Sequence, residues 1–244
     1  MQAVILAAGM GRRLGEHTAH IPKCMVEVSG ERLIDRIIGQ LSRLGVDRII
    51  IVDGYKGEAL RNHVEKICTD IPILFVENDI YDKTNNIFSL WLAIHYLLDD
   101  DTILLESDLI LEDALLESVY KCPDKDVALI SKYESWMNGT MVEIDPDGNI
   151  IGFIPQKSFS CVETDRYYKT VNVYKFSPEF VGRLLLPFLE AYMNAFGTDD
   201  YYEEVLRVIT SIGRFFIKGL ATRGLKWYEI DDAGDLENAE KIFA

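Results

Sequence analysis

The sequence predicts an α/β fold in which helices cover both faces of a mostly parallel sheet, giving three layers. Apolar runs that suit buried strands alternate with helix-spaced patterns through the first half of the 244 residues. The second half is richer in short strands, and it contains a strong hairpin turn at Asp145-Pro146-Asp147-Gly148. Alternating strands and helices produce parallel sheets, whereas hairpins add antiparallel strands. We therefore expect a parallel core with a small β-rich elaboration.

The elements of the first half are predicted from their periodicity. Continuous apolar runs indicate buried strands, and these runs occupy residues 3–7, 48–52, 73–76 and 102–106. Helix-spaced apolar residues occupy residues 32–44, 58–66 and 86–98. In the first of these helices, Ile34, Ile37 and Leu41 fall on one face, so this helix is expected to cover the sheet.

The second half is predicted to complete the same domain. Its strands fall at residues 127–131, 140–144, 149–154, 168–176, 215–218 and 227–230. Its helices fall at residues 178–196 and 201–211, and a C-terminal helix begins at Asp232. No repeat or low-complexity linker divides the chain, so residues 1–244 are interpreted as a single domain with halves at 1–126 and 127–244. Because the chain is still helical at Ala244, fusion to or association with another enzyme domain stays open.

Charge and cysteine pattern argue against several classes of protein. A formal net charge of −15 argues against nucleic acid as a partner, because proteins that bind its phosphates carry basic patches. No apolar run is long enough to span a bilayer, and the first strand begins too early to leave room for a signal peptide. The scattered cysteines lack Cys-x-x-Cys spacing, which indicates reduced thiols. We therefore expect a cytoplasmic protein without a membrane partner.

A glycine-rich turn, Gly9-Met10-Gly11, follows the first strand. Glycines at such a turn let backbone N–H groups approach phosphate oxygens that a Cβ would obstruct. Arg12, Arg13 and, farther along, Lys23 add positive charge to the same loop. The dinucleotide fingerprint fails because Leu14 stands at its third glycine, and no Gly-Lys-Ser/Thr follows. The turn is therefore interpreted as a binding site for a nucleoside triphosphate.

Two acidic clusters stand at the ends of apolar strands that are far apart in the sequence. One is Glu106-Ser107-Asp108, and the other is Glu229-Ile230-Asp231-Asp232. Asp108 and Asp231 can share one Mg²⁺, which binds few protein oxygens together with substrate phosphates. The alternative is that these acids cap the helices that follow, as we expect for Asp232. A bound metal also lets so acidic a protein accept a polyanionic nucleotide.

Longer motifs give a resemblance to a known family. The run Leu6-Ala7-Ala8-Gly9-x-Gly11-x-Arg13-Leu14, then Pro22-Lys23, resembles the signature of nucleotidyltransferases that activate sugar phosphates and phosphorylated amino alcohols. Asn85-Asn86-x-x-Ser89-Leu90 and Glu229-Ile230-Asp231 are similar to stretches of the bacterial choline-phosphate and 2-aminoethylphosphonate cytidylyltransferases. The likeness implies a Rossmann-like nucleotidyltransferase fold. In it, residues 1–126 bind the nucleotide, and residues 127–244 bind the acceptor and supply the second metal ligand.

The resemblance also implies roles for individual residues. Lys23 is expected to be catalytic and Arg13 to contact the pyrophosphate side of the nucleotide, while Asp108 and Asp231 hold Mg²⁺. The residues expected to contact CTP are Ala7, Ala8, Gly9, Gly11, Arg12, Gly54, Asn86 and Ser89. For Asn86 an alternative stays open, because asparagine at the start of an apolar helix is also a common N-cap.

An amine-bearing acceptor is expected to bind among aromatic and acidic side chains of the second half. Aromatic faces attract a quaternary ammonium, and carboxylates accept hydrogen bonds from a primary ammonium. The candidates are Trp136, Lys157, Lys169, Asp200, Tyr201, Tyr202 and Glu203, with the two lysines assigned to the acceptor phosphate. Ordinary helix packing and solvated surface charge are the alternative interpretation.

The resemblance therefore implies transfer of CMP from CTP to a small amine-bearing phosphonate or phosphate, with release of pyrophosphate. Both 2-aminoethylphosphonate and phosphocholine stay open as the acceptor, and the carboxylates among the candidates favour the phosphonate. The alternatives are a sugar-1-phosphate nucleotidyltransferase that uses another triphosphate and a catalytically silent nucleotide-binding domain. Ser107-Asp108 and Thr170-Val171-Asn172 replace the Gly-Asp and Asn-Ala-Gly of sugar-specific relatives, which argues against a sugar phosphate.

Overall fold

The computed structural model describes residues 1–67, 69–155, 158–159, 164–213 and 216–244. Strands and helices alternate through its first half, as the sequence predicts. The strands are β1 (Gln2–Ala7), β2 (Glu27–Val28), β3 (Glu31–Arg32), β4 (Ile49–Asp53), β5 (Ile73–Glu77), β6 (Thr102–Glu106), β7 (Leu109–Leu111), β8 (Val127–Lys132), β9 (Met141–Ile144), β10 (Ile150–Ile154), β11 (Tyr168–Phe176), β12 (Lys218–Ala221) and β13 (Trp227–Glu229). The α-helices are α1 (Leu33–Leu44), α2 (Gly57–Val64), α3 (Asn86–Ala93), α4 (Asp113–Lys121), α5 (Pro178–Phe180), α6 (Leu186–Phe196), α7 (Tyr202–Ser211) and α8 (Ala233–Phe243).

Parallel strands form the half of the sheet that carries the glycine turn. Strands β6, β1, β4 and β5 lie side by side in this order, and each neighbouring pair is parallel. All six residues of β1 are buried, because helices cover both faces of the sheet, and this explains its continuous apolar run. Since β1 is central, the turn that follows it opens near the middle of the carboxyl edge. The predicted α/β fold is confirmed.

The other half of the sheet is antiparallel. Strand β11 runs antiparallel to β6, and β9 and β10 extend the sheet as the predicted hairpin. Gly148 closes this hairpin with a positive φ of 79°, a conformation that glycine adopts at little cost. Strand β8 also pairs with β11, and β12 pairs with β8. The strand predicted at residues 215–218 begins at Lys218 in the described part of the chain, and residue 215 lies outside that part.

Two helical segments differ from the prediction. Helix α4 lies between β7 and β8, where no helix is predicted. The helix predicted at residues 178–196 contains a π-helical stretch at Val181–Leu185, between α5 and α6. Pro187 follows this stretch and has no N–H to donate to a carbonyl one turn back, which accounts for the wider turn. Within the described residues, no helix combines the length and apolar character needed to cross a membrane.

Apolar side chains fill the space on both sides of the sheet. On one side, Ile37 and Leu41 of α1 belong to one buried cluster with Ile5 of β1. On the other side, Leu90 of α3 belongs to a second cluster with Val4. Val4 and Ile5 point to opposite faces because successive strand residues alternate. The result is the predicted arrangement of three layers.

Gly54, directly after β4, is packed so closely that we expect alanine there to destabilise the fold. A Cβ at Gly54 lies 2.8 Å from the Cβ of Tyr81 and 3.0 Å from the Cβ of Ala8. Relieving such overlap lowers the free energy of unfolding by about 1–3 kcal/mol. The control is Gly152→Ala, since a Cβ at Gly152 meets nothing within 4 Å. Urea unfolding measures both variants, and equal stability losses contradict the prediction.

Candidate active site

Lys23 lies between the carboxylates of Asp108 and Asp231. Its Nζ donates to Oδ2 of Asp108 at 2.6 Å and to Oδ1 of Asp231 at 2.7 Å. Nη2 of Arg13 forms an ion pair with the same oxygen of Asp231 at 2.8 Å. The residues predicted as catalytic and those predicted as metal ligands therefore meet at one place, which we call the Lys23 cluster (Arg13, Lys23, Asp108 and Asp231).

The pairing of β7 with β13 brings the two aspartates together. These strands are antiparallel, with Asp108 just before β7 and Asp231 shortly after β13. In an antiparallel pair the start of one strand lies beside the end of the other. The N–H of Ile230 donates to the carbonyl of Asp108 at 3.0 Å, which fixes this register. Lys23 reaches the carboxylates from a short 3-10 turn that follows Pro22.

Burial and opposite charge compete at the Lys23 cluster, and opposite charge prevails. Removal from water lowers the pKa of Lys23, but the charges and hydrogen bonds of Asp108 and Asp231 raise it above its ordinary value. Desolvation raises the pKa of Asp231. The positive charges and hydrogen bonds of Lys23 and Arg13 lower it by more, so the pKa of Asp231 lies below its ordinary value. Lys23 and Asp231 are therefore both charged at neutral pH.

The glycine turn passes close to Lys23. Gly11 has a φ of 60°, and a Cβ on it would lie 3.0 Å from Cγ2 of Thr18 and 3.1 Å from Cβ of Lys23. Glycine is therefore needed at this position for the loop to approach the lysine. At Gly9, by contrast, an added Cβ meets nothing within 4 Å. The backbone at Gly9 thus has space beside it for a ligand.

A cleft of about 690 Å³ adjoins the Lys23 cluster. Volumes of this order are typical of small-molecule sites. Its acidic lining residues are Glu106, Asp108, Asp200, Glu203, Glu204, Glu229 and Asp231, and its basic ones are Arg13, Lys23, Lys169 and Arg207. Because acidic side chains outnumber basic ones, the cleft favours a ligand that carries a cationic group or arrives with a cation.

Asn86 connects two elements at the cleft. Its Nδ2 donates to Oε1 of Glu106 at 2.8 Å, and its Oδ1 accepts the N–H of Tyr202 at 3.0 Å. The N-cap of α3 is Asn85, whose side chain accepts from the N–H of Asn86. The capping alternative for Asn86 is therefore wrong. Its side chain instead ties the end of β6 to the start of α7.

Lys169 and Asn172 of β11 hold Glu229 in place. Lys169 Nζ lies 3.2 Å from Oε2 of Glu229, and Asn172 Nδ2 donates to Oε1 at 3.0 Å. Lys169 is only 2% exposed and also donates to the carbonyl of Thr170. Asn172 has a positive φ of 57°, which asparagine adopts more readily than most residues. The strand end that leads to Asp231 is thereby fixed.

Glu203 is a buried carboxyl with an unsatisfied oxygen. Its residue is 5% exposed, and no described residue donates a hydrogen bond to its Oε2. Burial is the main cause that raises the pKa of Glu203 to about 7. The negative charge of Glu229 also raises this pKa, whereas the positive charge of Lys169 lowers it. Burial likewise raises the pKa of Glu106, with repulsion from Asp108 and Glu203. A cation that enters the cleft favours the ionised form of both carboxyls.

The cleft gathers some of the predicted acceptor residues and not others. Those that line it are Lys169, Asp200, Tyr201 and Glu203. Tyr202 requires a correction, because its side chain is fully buried in edge-to-face contact with Tyr174. Lys157 lies outside the described residues. The acceptor prediction therefore reduces, within the described chain, to the start of α7 and to Lys169.

Trp136 also requires a correction, because it lies in a separate groove. Its ring stacks on that of Tyr228 with centroids 4.5 Å apart and planes 6° apart. Its Nε1 donates to Glu134 at 3.1 Å. The same segment does reach the cleft two residues later, at Asn138. The prediction therefore found a segment that lines the cleft, but the indole of Trp136 points away from it.

The predicted CTP contacts divide into three groups. Asn86 lines the cleft directly. The second group runs from the end of β1 into the loop that follows it and contains Ala7, Ala8, Gly9, Gly11 and Arg12; of these, Gly11 lies beside Lys23. Gly54 and Ser89 form the third group and make packing contacts. Gly54 is half-buried and abuts Tyr81 and Ala8, and the buried Ser89 hydroxyl accepts a hydrogen bond from Asn78 at 3.2 Å. The structure therefore does not bring Gly54 and Ser89 to the cleft.

Several cleft residues were missed by the sequence analysis. They are Asn138, Gly139, Thr140, Phe153, Pro155, Asn172, Glu204 and Arg207. Arg207 follows Glu203 by one helical turn, so helix spacing could have identified it. Asn172 was harder to predict. Its backbone has a left-handed conformation that favours asparagine, but this conformation is visible only in the structure.

Residues 3–191 match the family model of the MobA-like NTP transferase domain. The chain belongs to this family. The matched residues of this NTP transferase domain include the glycine turn, Lys23 and Asp108, and they extend through β11 into α6. The resemblance to nucleotidyltransferases is thereby confirmed.

Two similar proteins have names that state a phosphonate substrate or product. The domain is 30% identical over 245 residues to the CMP-5'-(3-aminopropyl)phosphonate synthase of Streptomyces rubellomurinus, covering 100% of the chain and 39% of that protein. It is 30% identical over 150 residues to the 2-aminoethylphosphonate cytidylyltransferase of Lancefieldella rimae, covering 61% of the chain and 58% of that protein. The matches thus span less than two thirds of the length of either relative.

A solved structure shares the fold along the whole chain. It is the CTP:phosphocholine cytidylyltransferase of Streptococcus pneumoniae, which superposes with a TM-score of 0.80 at 24% identity and covers 100% of this chain and 99% of that one. The similarity confirms the nucleotidyltransferase fold that the sequence analysis expects.

Proposed function

We propose that this NTP transferase domain is a cytidylyltransferase that transfers CMP from CTP to a small phosphonate or phosphate bearing a primary amine. The Lys23 cluster carries the proposal, because it gathers beside the glycine turn the cations and carboxylates that phosphoryl transfer uses. The names of the two phosphonate relatives support the choice of CTP and of a phosphonate.

In this reaction an acceptor oxygen bonds to the α-phosphorus of CTP. The bond from that phosphorus to the bridging oxygen of the β-phosphate breaks, and its electron pair leaves with pyrophosphate. Because the attacking oxygen is already ionised, no general base is needed, and catalysis depends on position and charge. Lys23 neutralises negative charge at the α-phosphate. Arg13, whose side chain is largely exposed at the cleft mouth, binds the departing pyrophosphate.

The Lys23 cluster fits a Mg²⁺ ion. Asp108 and Asp231 both contact one cationic nitrogen, so their oxygens converge on a single centre. Oδ1 of Asp108 is buried and accepts no hydrogen bond from any described residue. Mg²⁺ characteristically takes one or two carboxylates and completes its shell with water and substrate phosphates. When held there by Asp108 and Asp231, Mg²⁺ supplies positive charge to the phosphates of CTP.

The start of α7 suits a primary amine better than a quaternary one. Asp200 is already engaged, since its Oδ2 accepts from Tyr192 at 2.6 Å and its Oδ1 accepts from the N–H of Tyr201 at 2.9 Å. Oε2 of Glu203 has no donor among the described residues, and a primary ammonium can donate to it. A trimethylammonium has no N–H to donate. Tyr201 offers the same cation an exposed aromatic face.

The decisive experiment is a product screen by mass spectrometry with Mg²⁺ and each acceptor in turn. The acceptors are 2-aminoethylphosphonate, 3-aminopropylphosphonate, phosphocholine and glucose 1-phosphate, each offered with CTP and with UTP. We expect CMP conjugates and pyrophosphate from CTP with the aminophosphonates. A conjugate formed only from UTP and glucose 1-phosphate contradicts the proposal and favours the sugar alternative. Nucleotide binding without any conjugate favours the silent domain.

Glu203→Gln is expected to raise the KM for an aminophosphonate about 10- to 100-fold, because a charge-assisted hydrogen bond contributes about 1.5–3 kcal/mol. Phosphocholine, which cannot donate to this oxygen, is affected much less. Since the pKa of Glu203 is raised to about 7, its carboxyl is protonated below that pH and loses its attraction for ammonium. The wild-type KM therefore falls as pH rises through about 7. Steady-state assays of pyrophosphate release across this range measure both effects.

The control for this variant is Glu240→Gln on the exposed face of α8, which keeps the wild-type KM and pH profile. Titration of the acceptor's own phosphonate affects the wild type, Glu203→Gln and Glu240→Gln alike. A difference between the pH profiles of KM for the wild type and Glu203→Gln therefore comes from Glu203. Identical pH profiles for the wild type and Glu203→Gln would remove Glu203 from the amine site.

A further inference from the structure

A second groove, of about 680 Å³, is lined by basic rather than acidic side chains. We call it the basic groove, and its key residues are Lys132, Trp136, Arg223, Lys226, Tyr228 and Lys241. Glu134 is the one acid among the described residues that line it, and its carboxylate accepts from Trp136. The chain has 40 acidic and 25 basic residues and is negatively charged overall, whereas this surface is positively charged.

Among the described residues, no carboxylate neutralises the cations of the basic groove. Lys226 Nζ donates to the carbonyl of Ile242 at 3.1 Å, and Lys132 Nζ donates to the carbonyl of Asp165. Lys241 Nζ donates to Oδ1 of Asn238, at 3.5 Å. Within the described ranges, no carboxylate pairs with any of these three lysines or with Arg223. Four positive charges therefore remain available to an anionic partner.

The apolar part of the groove is preorganised. Trp136 is held flat against Tyr228 and is still 37% exposed, as is Leu225. Arg223 and Gly224 have φ values of 54° and 83°, and the N–H of Leu225 donates to the carbonyl of Thr222 at 3.1 Å. These features define a tight turn that presents Arg223 and Leu225 in one conformation. Exposed Trp, Tyr and Arg on rigid elements are the residues that dominate protein interfaces.

We propose that the basic groove docks an extended acidic segment of a partner polypeptide. Charge complementarity selects an anionic partner in a protein that otherwise repels one. The cations stand on three separate elements, namely the end of β8, the turn after β12 and the last turn of α8. An extended chain with several carboxylates can meet the cations on all three elements. An apolar side chain of that segment packs on Trp136 and Leu225.

The test uses the full chain and a fluorescent Glu-rich peptide of about ten residues with one central Leu, which spans roughly 30 Å when extended. Fluorescence anisotropy is expected to show binding that weakens when ionic strength rises from about 0.1 M to 1 M, because the Debye length falls from about 10 Å to 3 Å. The double variant Arg223→Glu/Lys241→Glu is expected to bind at least about tenfold more weakly, as two attractions become repulsions. Trp136→Ala is also expected to weaken binding.

The matched control is Lys66→Glu/Lys121→Glu, which makes the same change in net charge at exposed positions outside the groove and keeps wild-type binding. Thermal melting shows that all variants fold. Equal peptide affinity in the wild type and the groove variant overturns the proposal. Displacement of the peptide by an equal concentration of inorganic triphosphate overturns it in favour of a small-anion site. A wild-type dimer in sedimentation experiments that the groove variant dissociates overturns it in favour of a second copy of this chain.

Discussion

Lys23→Ala is expected to lower kcat about 10²- to 10³-fold with CTP and an aminophosphonate, which is the usual cost of removing one preorganised donor to developing negative charge. The variant also leaves Asp108 and Asp231 facing each other without their common partner. These ion pairs are partly buried, so breaking them lowers the free energy of unfolding by less than the roughly 3–5 kcal/mol of a fully buried pair. Because Mg²⁺ fits the same centre, it is expected to raise the melting temperature of the variant more than that of the wild type. Pyrophosphate release and thermal melting measure the two effects.

Lys121→Ala is the control for this experiment. Lys121 forms an exposed ion pair with Glu117 one helical turn away, and such pairs contribute about 0.5 kcal/mol or less. Activity and the response to Mg²⁺ are expected to match the wild type. A folded Lys23→Ala protein with wild-type turnover would exclude Lys23 from the mechanism.

The part of the site that contains Asp108 and the glycine turn could be predicted because each of them follows an apolar strand. In a parallel sheet the carboxyl ends of strands share one edge, so Asp108 and the glycine turn were expected at the same edge. The role of Asp231 as a metal ligand was assigned through the family resemblance. What the sequence does not contain is the pairing of β7 with β13. The strand at residues 227–230 is predicted, but its partner β7 has three residues and is too short to be distinguished from a loop.

Side-chain direction accounts for most of what the sequence analysis missed. Glu229 and Asp231 are two residues apart at a strand end, where alternate residues share a side. That spacing could have placed Glu229 in the cleft beside Asp231. Trp136 and Tyr201 have similar chemistry, yet only Tyr201 faces the cleft. Their difference depends on tertiary contacts, namely the stacking of Trp136 on Tyr228 and the buried position of Tyr202 beneath Tyr201.

Asp231→Asn and Asp108→Asn are each expected to lower kcat/KM by about 10³-fold or more, roughly 4 kcal/mol of transition-state stabilisation. An amide is a weak ligand for Mg²⁺, and it no longer attracts Lys23. The rise in melting temperature that Mg²⁺ and CTP together give the wild type is expected to disappear in both variants. This thermal readout is independent of turnover, so it separates loss of metal from loss of catalysis.

The neighbouring residue provides a sharp control for the aspartate variants. Asp232 is the N-cap of α8, with its side chain accepting the N–H of Asp235 at 3.0 Å. Asparagine caps helices about as well as aspartate, so Asp232→Asn removes the same charge one residue away and preserves the fold. It is expected to keep the wild-type response to Mg²⁺ and most of the activity. If Asp231→Asn behaves like Asp232→Asn in melting and in turnover, Asp231 does not hold the metal, and net charge alone explains its presence beside Lys23.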